Sequence, residues 1–202
     1  MQADAPPLIL ASASVARRAV LAGAGLQFTV WPAAIDEAGV KRAARSEGLD
    51  ALAVALRLAD AKAAEIARHE PQALVIGADQ ILVCDGTWYD KPENLAAARR
   101  QLLALRNRSH ALATAVVCRS GDRLLWQHTA QPRLTMRAFS EPFLDAYLAM
   151  EGAHVLSSVG AYRLEGPGAQ LFAAVEGDHA AILGLPLLPL LRFLRGLGVV
   201  ME

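Results

Sequence analysis

Apolar residues recur along this chain with two different periods, and the alternation between them sets the expected fold. Leu52, Leu56, Ala59, Ala63 and Ile66 follow one another at steps of three and four, so an amphipathic helix is expected from about Leu49 to His69, with Lys62 on the border of its apolar stripe. Leu8 to Ala11 and Ala73 to Ile76 are short apolar runs of the kind that fill buried strands, and Gln27 to Trp31 reads as another strand. Ser14 opens a helical pattern through Val20, Leu21 and Ala24, which Gly25 closes. Further helices are expected from Glu93 to Leu105 after Pro92, from Ser140-Glu141-Pro142 to about Met150, and from about Leu187 to Leu197, entered through Gly184-Leu-Pro186 and left at Gly198. Between Ser109 and Phe139, alternating runs broken by Ser120-Gly121-Asp122 and Pro132 predict β-hairpins. Because those hairpins are antiparallel, the pattern predicts an α/β fold with a mixed twisted sheet and flanking helices. No internal repeat, low-complexity tract or linker divides the chain, and a single domain over residues 1–202 is expected.

Composition narrows the chemistry without naming it. The 20 basic and 20 acidic residues cancel, so no basic field suggests nucleic acid, and any cation that matters has to be placed singly. Hydrophobic residues make up 54% of the chain, yet the apolar stretch from Ala180 to Leu191 is broken by Gly184, Pro186 and Pro189. It stays short of the ~20 residues that span a bilayer, and no membrane role is expected. The N-terminus, Met1 to Pro7, lacks the cationic start of a signal peptide, which predicts a cytoplasmic protein. Cys84 and Cys118, each inside an apolar run, read as small core residues of a reducing compartment.

Two segments carry candidate chemistry. In Ala73-Leu-Val-Ile-Gly-Ala-Asp79-Gln80, Gly77 permits close approach where the strand is expected to end, which puts Asp79 outside a strand end, the usual ligand position in open α/β sheets. Asp85-Gly86 reads as a hairpin turn that folds Lys91-Pro92 back toward Asp79. The same residues also read as a hairpin with solvated charges. The other segment is Leu8-Ile-Leu-Ala-Ser12-Ala-Ser14-Val-Ala16-Arg17-Arg18, where a strand enters a helix through small hydroxyl residues. Such an entry aims unpaired helix amides outward as an anion cradle, with Ser14 as the cap and Arg17 returning to the same face three residues on. An ordinary cap followed by surface arginines fits this segment as well.

Taken in order, these pieces resemble the Maf-type nucleoside triphosphate pyrophosphatases, also described as septum formation inhibitor proteins. The resemblance rests on Leu10-Ala-Ser-Ala-Ser14 with Arg17, Asp36-Glu37, Leu58-Ala-Asp-Ala-Lys62-Ala, Ile76-Gly-Ala-Asp79-Gln80, Asp85-Gly86, Lys91-Pro92, Ser109-His110 with Thr114-Ala-Val, Gly160-Ala-Tyr162, Glu165-Gly166, and Glu176-Gly177-Asp178 followed by Gly184-Leu-Pro186-Leu. It implies two lobes around a nucleotide-binding cleft, hydrolysis of a nucleoside triphosphate between its α and β phosphates, and a divalent cation. Mg²⁺ suits that chemistry, with Mn²⁺ or Co²⁺ as alternatives, because it binds through one or two carboxylates plus phosphate oxygens and water. On this resemblance Glu37 and Asp79 hold the metal, and Asp79 also orients or deprotonates the attacking water. Lys62, Lys91 and Arg17 bring positive charge to the phosphates, and Ser12 and Ser14 add donors. Asp36 is expected to be a solvated neighbour.

Departures from the family pattern bear on the substrate. Family members commonly read Ser-Pro-Arg-Arg or Ser-Pro-Trp-Arg where this chain has Ser14-Val15-Ala16-Arg17, so the position associated with the base carries Ala16, which can neither stack nor donate. Gln80 and Glu165 resemble the branch acting on 7-methylguanosine triphosphate, whereas the thymidine and uridine triphosphate branch usually has Thr and Gln there. A carboxylate at Glu165 suits guanine, which offers two adjacent donors from one edge. The alternatives are hydrolysis of thymidine or uridine triphosphate, a regulatory nucleotide-binding role in cell division, and a different phosphate enzyme on an α/β scaffold. A homodimer is compatible with the resemblance.

Overall fold

The computed structural model describes residues 6–201. Residues 1–5, on which part of the localisation reading rests, lie outside the described residues. The chain divides into two compact units, one of residues 1–80, 114–130 and 178–202 and the other of residues 81–113 and 131–177.

In the first unit β1 (Leu8–Leu10) pairs in parallel with both β2 (Thr29–Val30) and the start of β3 (Leu74–Cys84). Helix α1 (Val15–Gly23) follows β1, capped by the Ser14 hydroxyl and closed at Gly25, which has φ +74°. Next come α2 (Glu37–Ser46) and the long α3 (Ala51–His69), whose Val54, Leu58 and Ala63 are fully buried. The last part of β5 (Ser109–Ser120) forms a hairpin with β6 (Arg123–Ala130). A short helix α6 (His179–Ile182) and α7 (Leu187–Gly196) complete the unit. Leu10, Leu21, Ile76, Val116, Leu190 and Leu194 share one core, and each such side chain stabilises the fold by roughly 1.5–3 kcal/mol on burial. Arg119 of β5 forks onto Asp60 of α3 at 2.6 and 3.0 Å, tying helix to sheet.

In the second unit the end of β3 pairs antiparallel with β4 (Thr87–Tyr89) through a two-residue turn at Asp85-Gly86. Both turn residues have positive φ, +48° and +76°, as the expected hairpin requires. The start of β5 pairs with β7 (Arg133–Met136), and β7 with β8 (Phe172–Glu176), again antiparallel. Helices α4 (Leu95–Leu105) and α5 (Glu141–Glu151) are capped by Asn94 and Ser140 and bury Leu102, Leu105 and Leu144. Short 3-10 turns cover Gly152–Ser157, Val159–Ala161 and Pro167–Leu171.

The expected mixed α/β class is what the chain adopts. Both cysteines are buried and free, as expected of core residues. Among the described residues no helix is long and apolar enough to cross a membrane. Three elements were not legible in the hydrophobic pattern. Helix α2 is mostly polar and buries a single residue, Ala44; β8 is largely exposed; and α6 spans one turn. One expectation needs correction. Strand β3 does not end at Gly77 but runs eleven residues through to Cys84. What ends is its parallel neighbour β1, whose partners stop at Ile76, so Asp79 still lies beyond the end of an adjacent strand. Gly77 serves packing instead. A Cβ there would sit 2.9 Å from the Cβ of Ala63 and collide with the Ala59 carbonyl oxygen, so glycine lets α3 lie directly against β3.

Candidate active site

The first unit brings together six of the residues singled out from the sequence: Ser12, Ser14, Arg17, Glu37, Lys62 and Asp79. Their geometry starts with the pleat of β3. Side chains alternate across a strand, so Gly77 and Asp79 face α3 together. One turn along from Ala59 and beside Ala63, Lys62 reaches that same face. Its Nζ donates to Asp79 Oδ1 at 2.6 Å and lies 2.8 Å from Glu37 Oε1. Lys62 and Asp79 are buried, at 8% and 6% exposure, so Lys62 sits inside the protein and not at the border of the helix's apolar stripe. Glu37 is exposed at the first position of α2 and closes the cluster from solvent. Its neighbour Asp36 is not merely a solvated charge: it caps α2, accepting from the Gly39 amide at 2.9 Å.

The cap of α1 forms as the sequence suggested, with Ser14 Oγ accepting from the Arg17 amide at 3.3 Å. Ser12 is buried and its Oγ accepts from the Ser14 amide at 3.3 Å and from Arg17 Nη1 at 3.0 Å. Ala16 is half-buried in the first turn of α1, and Arg18 beside Arg17 is exposed. The Arg17 guanidinium is more committed to the scaffold than a phosphate fork would be. Its Nε donates to the Gly184 carbonyl at 2.9 Å and its Nη1 to the Ala78 carbonyl at 2.8 Å, so with Ser12 it ties together the end of β1, the middle of β3 and the segment after α6. Burial draws its pKa below the ordinary arginine value, and the charges of Asp79 and Glu37 act against that. Gly184 is required there twice over: its φ is +91°, and a Cβ would lie 3.0 Å from Arg17 Nε.

Gln80 faces away from this cluster. Its Nε2 meets Thr114 Oγ1 at 2.8 Å and the carbonyls of Ala181 and Ile182 at 3.0 and 3.1 Å. Two of those partners are carbonyls, which only accept, so the amide nitrogen must point at them. Gln80 thus anchors α6, together with Thr114, whose hydroxyl donates to the Ala181 carbonyl at 3.1 Å. The signal for this was present in the sequence, since residues adjacent in a strand point to opposite faces. Lys91 and Glu165 belong to the second unit, Lys91 exposed between β4 and α4 and Glu165 exposed before Gly166.

Glu37 and Asp79 fit the chemistry of Mg²⁺, which takes one or two carboxylates and fills its shell with phosphate and water. Among the described residues no group of three or more His, Cys, Asp or Glu side chains comes together, so a metal here has to be completed by a ligand. Cluster and cap together form a polar site of two carboxylates, one lysine, one arginine and a helix entrance.

The family model for Maf-like protein matches residues 7–197, and this chain belongs to that family. It is 55% identical to the nucleoside triphosphate pyrophosphatase of Granulibacter bethesdensis over 93% of this chain and 95% of that protein. With the nucleoside triphosphate pyrophosphatase of Rhodospirillum rubrum it shares 49% identity over the whole of both chains. With the 7-methyl-GTP pyrophosphatase of Rhizobium meliloti it shares 46% identity over 96% of this chain and 98% of that protein.

Proposed function

We propose that this protein is a metal-dependent nucleoside triphosphate pyrophosphatase that cleaves the α–β phosphoanhydride and prefers 7-methylguanosine triphosphate. The observation that carries the reading is the buried lysine held by two carboxylates, Lys62 between Asp79 and Glu37. Names of relatives at 49–55% identity support the pyrophosphatase class, and relatives at 45–46% identity support the methylated base.

Asp79 and Glu37 would hold the cation, which when bound neutralises charge on the triphosphate and its leaving group. An ammonium has three donors and two are used here, so Lys62 keeps one for a phosphate oxygen. Lys91 adds a second lysine charge. Arg17 offers Nη2, the part of its fork that the scaffold does not engage, while Ser12 accepts from its Nη1 and Ser14 from its backbone amide. Asp79 orients a water in line with the α-phosphorus and takes its proton. The new P–O bond forms as the bond to the bridging α–β oxygen breaks, and pyrophosphate leaves with that oxygen. Glu165 accepts from the base edge, and Gln80 supports the site from the opposite face of β3, where it anchors α6. Residues 1–202 act as one functional domain in this reading.

The test is product analysis on a panel of nucleoside triphosphates with Mg²⁺. Monophosphate and pyrophosphate in equal amounts are expected, with 7-methylguanosine triphosphate turned over faster than thymidine or uridine triphosphate. Release of orthophosphate would overturn the reaction assignment. Because Ala16 gives the base no stacking partner, a contact worth ~1–3 kcal/mol elsewhere, the preference should be modest, and Ala16→Trp should sharpen it. Glu165→Gln should move it toward the pyrimidines. An unchanged ranking in Glu165→Gln, with thymidine triphosphate preferred by the wild type, would leave the pyrophosphatase and remove the base assignment.

A further inference from the structure

The segment that carries Glu165 is held unusually firmly within the second unit. Glu151 ends α5 almost completely buried, with a side chain 3% exposed, and Arg163 forks onto both its oxygens at 2.8 and 3.2 Å. Arg163 itself is 31% exposed. Two glycines let the chain close around this pair. A Cβ at Gly166 would lie 3.3 Å from Arg163 Nη2 and 3.6 Å from Glu151 Oε1, while one at Gly168 would lie 2.8 Å from the Arg163 amide nitrogen. Upstream, Ser158 Oγ donates to the Tyr162 carbonyl at 2.5 Å, Tyr147 donates to the Ala161 carbonyl at 3.2 Å, and the Tyr162 hydroxyl meets His110 Nε2 at 2.8 Å. Ala161 is held at φ +59°, a left-handed conformation uncommon for a residue with a Cβ.

We infer that Glu151 and Arg163 are positioning residues for base selection, their forked pair keeping Arg163 engaged so that the nearby carboxylate of Glu165 is presented to the base. This rests on Glu165 being the base reader. Arg163 lies in the field of both acids, Glu151 and Glu165. A guanidinium whose Nε and Nη2 both donate to the buried Glu151 carboxylate is held to that partner and not drawn to Glu165. If the fork is broken, the partly exposed guanidinium swings to the remaining carboxylate and spends its charge there.

Glu151→Gln makes the test. Glutamine keeps the shape and one acceptor but opposes the second N–H of the fork with its own NH₂. KM for 7-methylguanosine triphosphate should rise about tenfold with kcat within about twofold, while KM for thymidine triphosphate changes little. In a Glu165→Gln background the same substitution should have no further effect on selectivity, a non-additivity that a purely structural residue would not produce. Arg163→Lys, which leaves buried Glu151 with a cation and no guanidinium to swing onto Glu165, should keep the ratio of KM values within about twofold of the wild type; it serves if Glu151→Gln does not fold, and a roughly tenfold loss of preference there would overturn the positioning role. Equal changes for both nucleotides, additive effects in the double variant, or a wild type that does not discriminate would each overturn the positioning role. Absence of pyrophosphate release from any nucleotide in the wild type would instead bring down the pyrophosphatase reading, and this role with it.

Discussion

Asp79 and Gln80 are neighbours in sequence and face opposite sides of β3, Asp79 toward Lys62 of α3 at 2.6 Å and Gln80 toward Thr114 and the carbonyls of α6. One is buried in a charge cluster, and the other is an anchor. Substitutions at the two positions should therefore separate chemistry from scaffold.

Asp79→Asn should lower kcat by at least ~10²-fold, because the amide can neither take a proton nor hold a cation. Its melting temperature should stay near that of the wild type, since Lys62 keeps Glu37 at 2.8 Å. Lys62→Met should cost more stability, by ~3 kcal/mol or more, because buried Asp79 loses its direct cation. Paired activity and thermal denaturation measurements check this order. Equal destabilisation by the two variants would contradict it.

Gln80→Glu should destabilise the fold by ~1–3 kcal/mol, since carboxylate oxygens cannot donate to the Ala181 and Ile182 carbonyls. Urea denaturation measures the loss. A variant of native stability with altered base preference would show that Gln80 reads substrate and is not an anchor.

Arg17→Ala should lose both stability and kcat/KM, because its three scaffold hydrogen bonds go with it. Arg17→Lys should recover little, since a point charge cannot replace the fork. Arg18→Ala, at an exposed site on the same helix, should be close to neutral. The reverse order for the two arginines would place the functional register one residue later.

His110 is buried against Tyr162 and Phe172, and desolvation lowers its pKa from 6.5 to about 4. Unfolded chains take up this proton first as the pH falls. The neutral imidazole therefore contributes full stability above about pH 6.5, and that stability is lost progressively down to about pH 4. The loss amounts to ~3 kcal/mol from this group. His110→Phe should flatten the slope of unfolding free energy against pH in that window. An unchanged slope would assign the dependence to other groups.

Much of this was legible in the chain itself. Helix α3 could be read because nine of its residues are buried on one stripe at helical spacing, and the α1 and α5 entrances because Ser14 and Ser140 are caps whose chemistry is local. The Asp85-Gly86 turn is equally local, since Asp tolerates the left-handed conformation and Gly, with no Cβ, adopts it freely. Resemblance over the ordered motifs identified the family. Neither α2 nor α6 could be read, since one has almost no buried face and the other is a single turn, and what holds α6 is the Gln80 and Thr114 contact from more than sixty residues away along the chain.

By itself, then, the sequence determined the elements whose causes lie within a few residues, and it supplied the set of acids, lysines and hydroxyls. Tertiary structure alone decided how that set divides between chemistry and support. Arg17 spends three N–H groups on Ser12, Ala78 and Gly184; Lys62 is drawn into the interior by Asp79; and Gly77 is small because α3 lies on β3. Each of these depends on which atoms from distant parts of the chain arrive within about 3 Å, and hydrogen bonds and ion pairs are short-ranged enough that nothing in the linear pattern specifies those meetings.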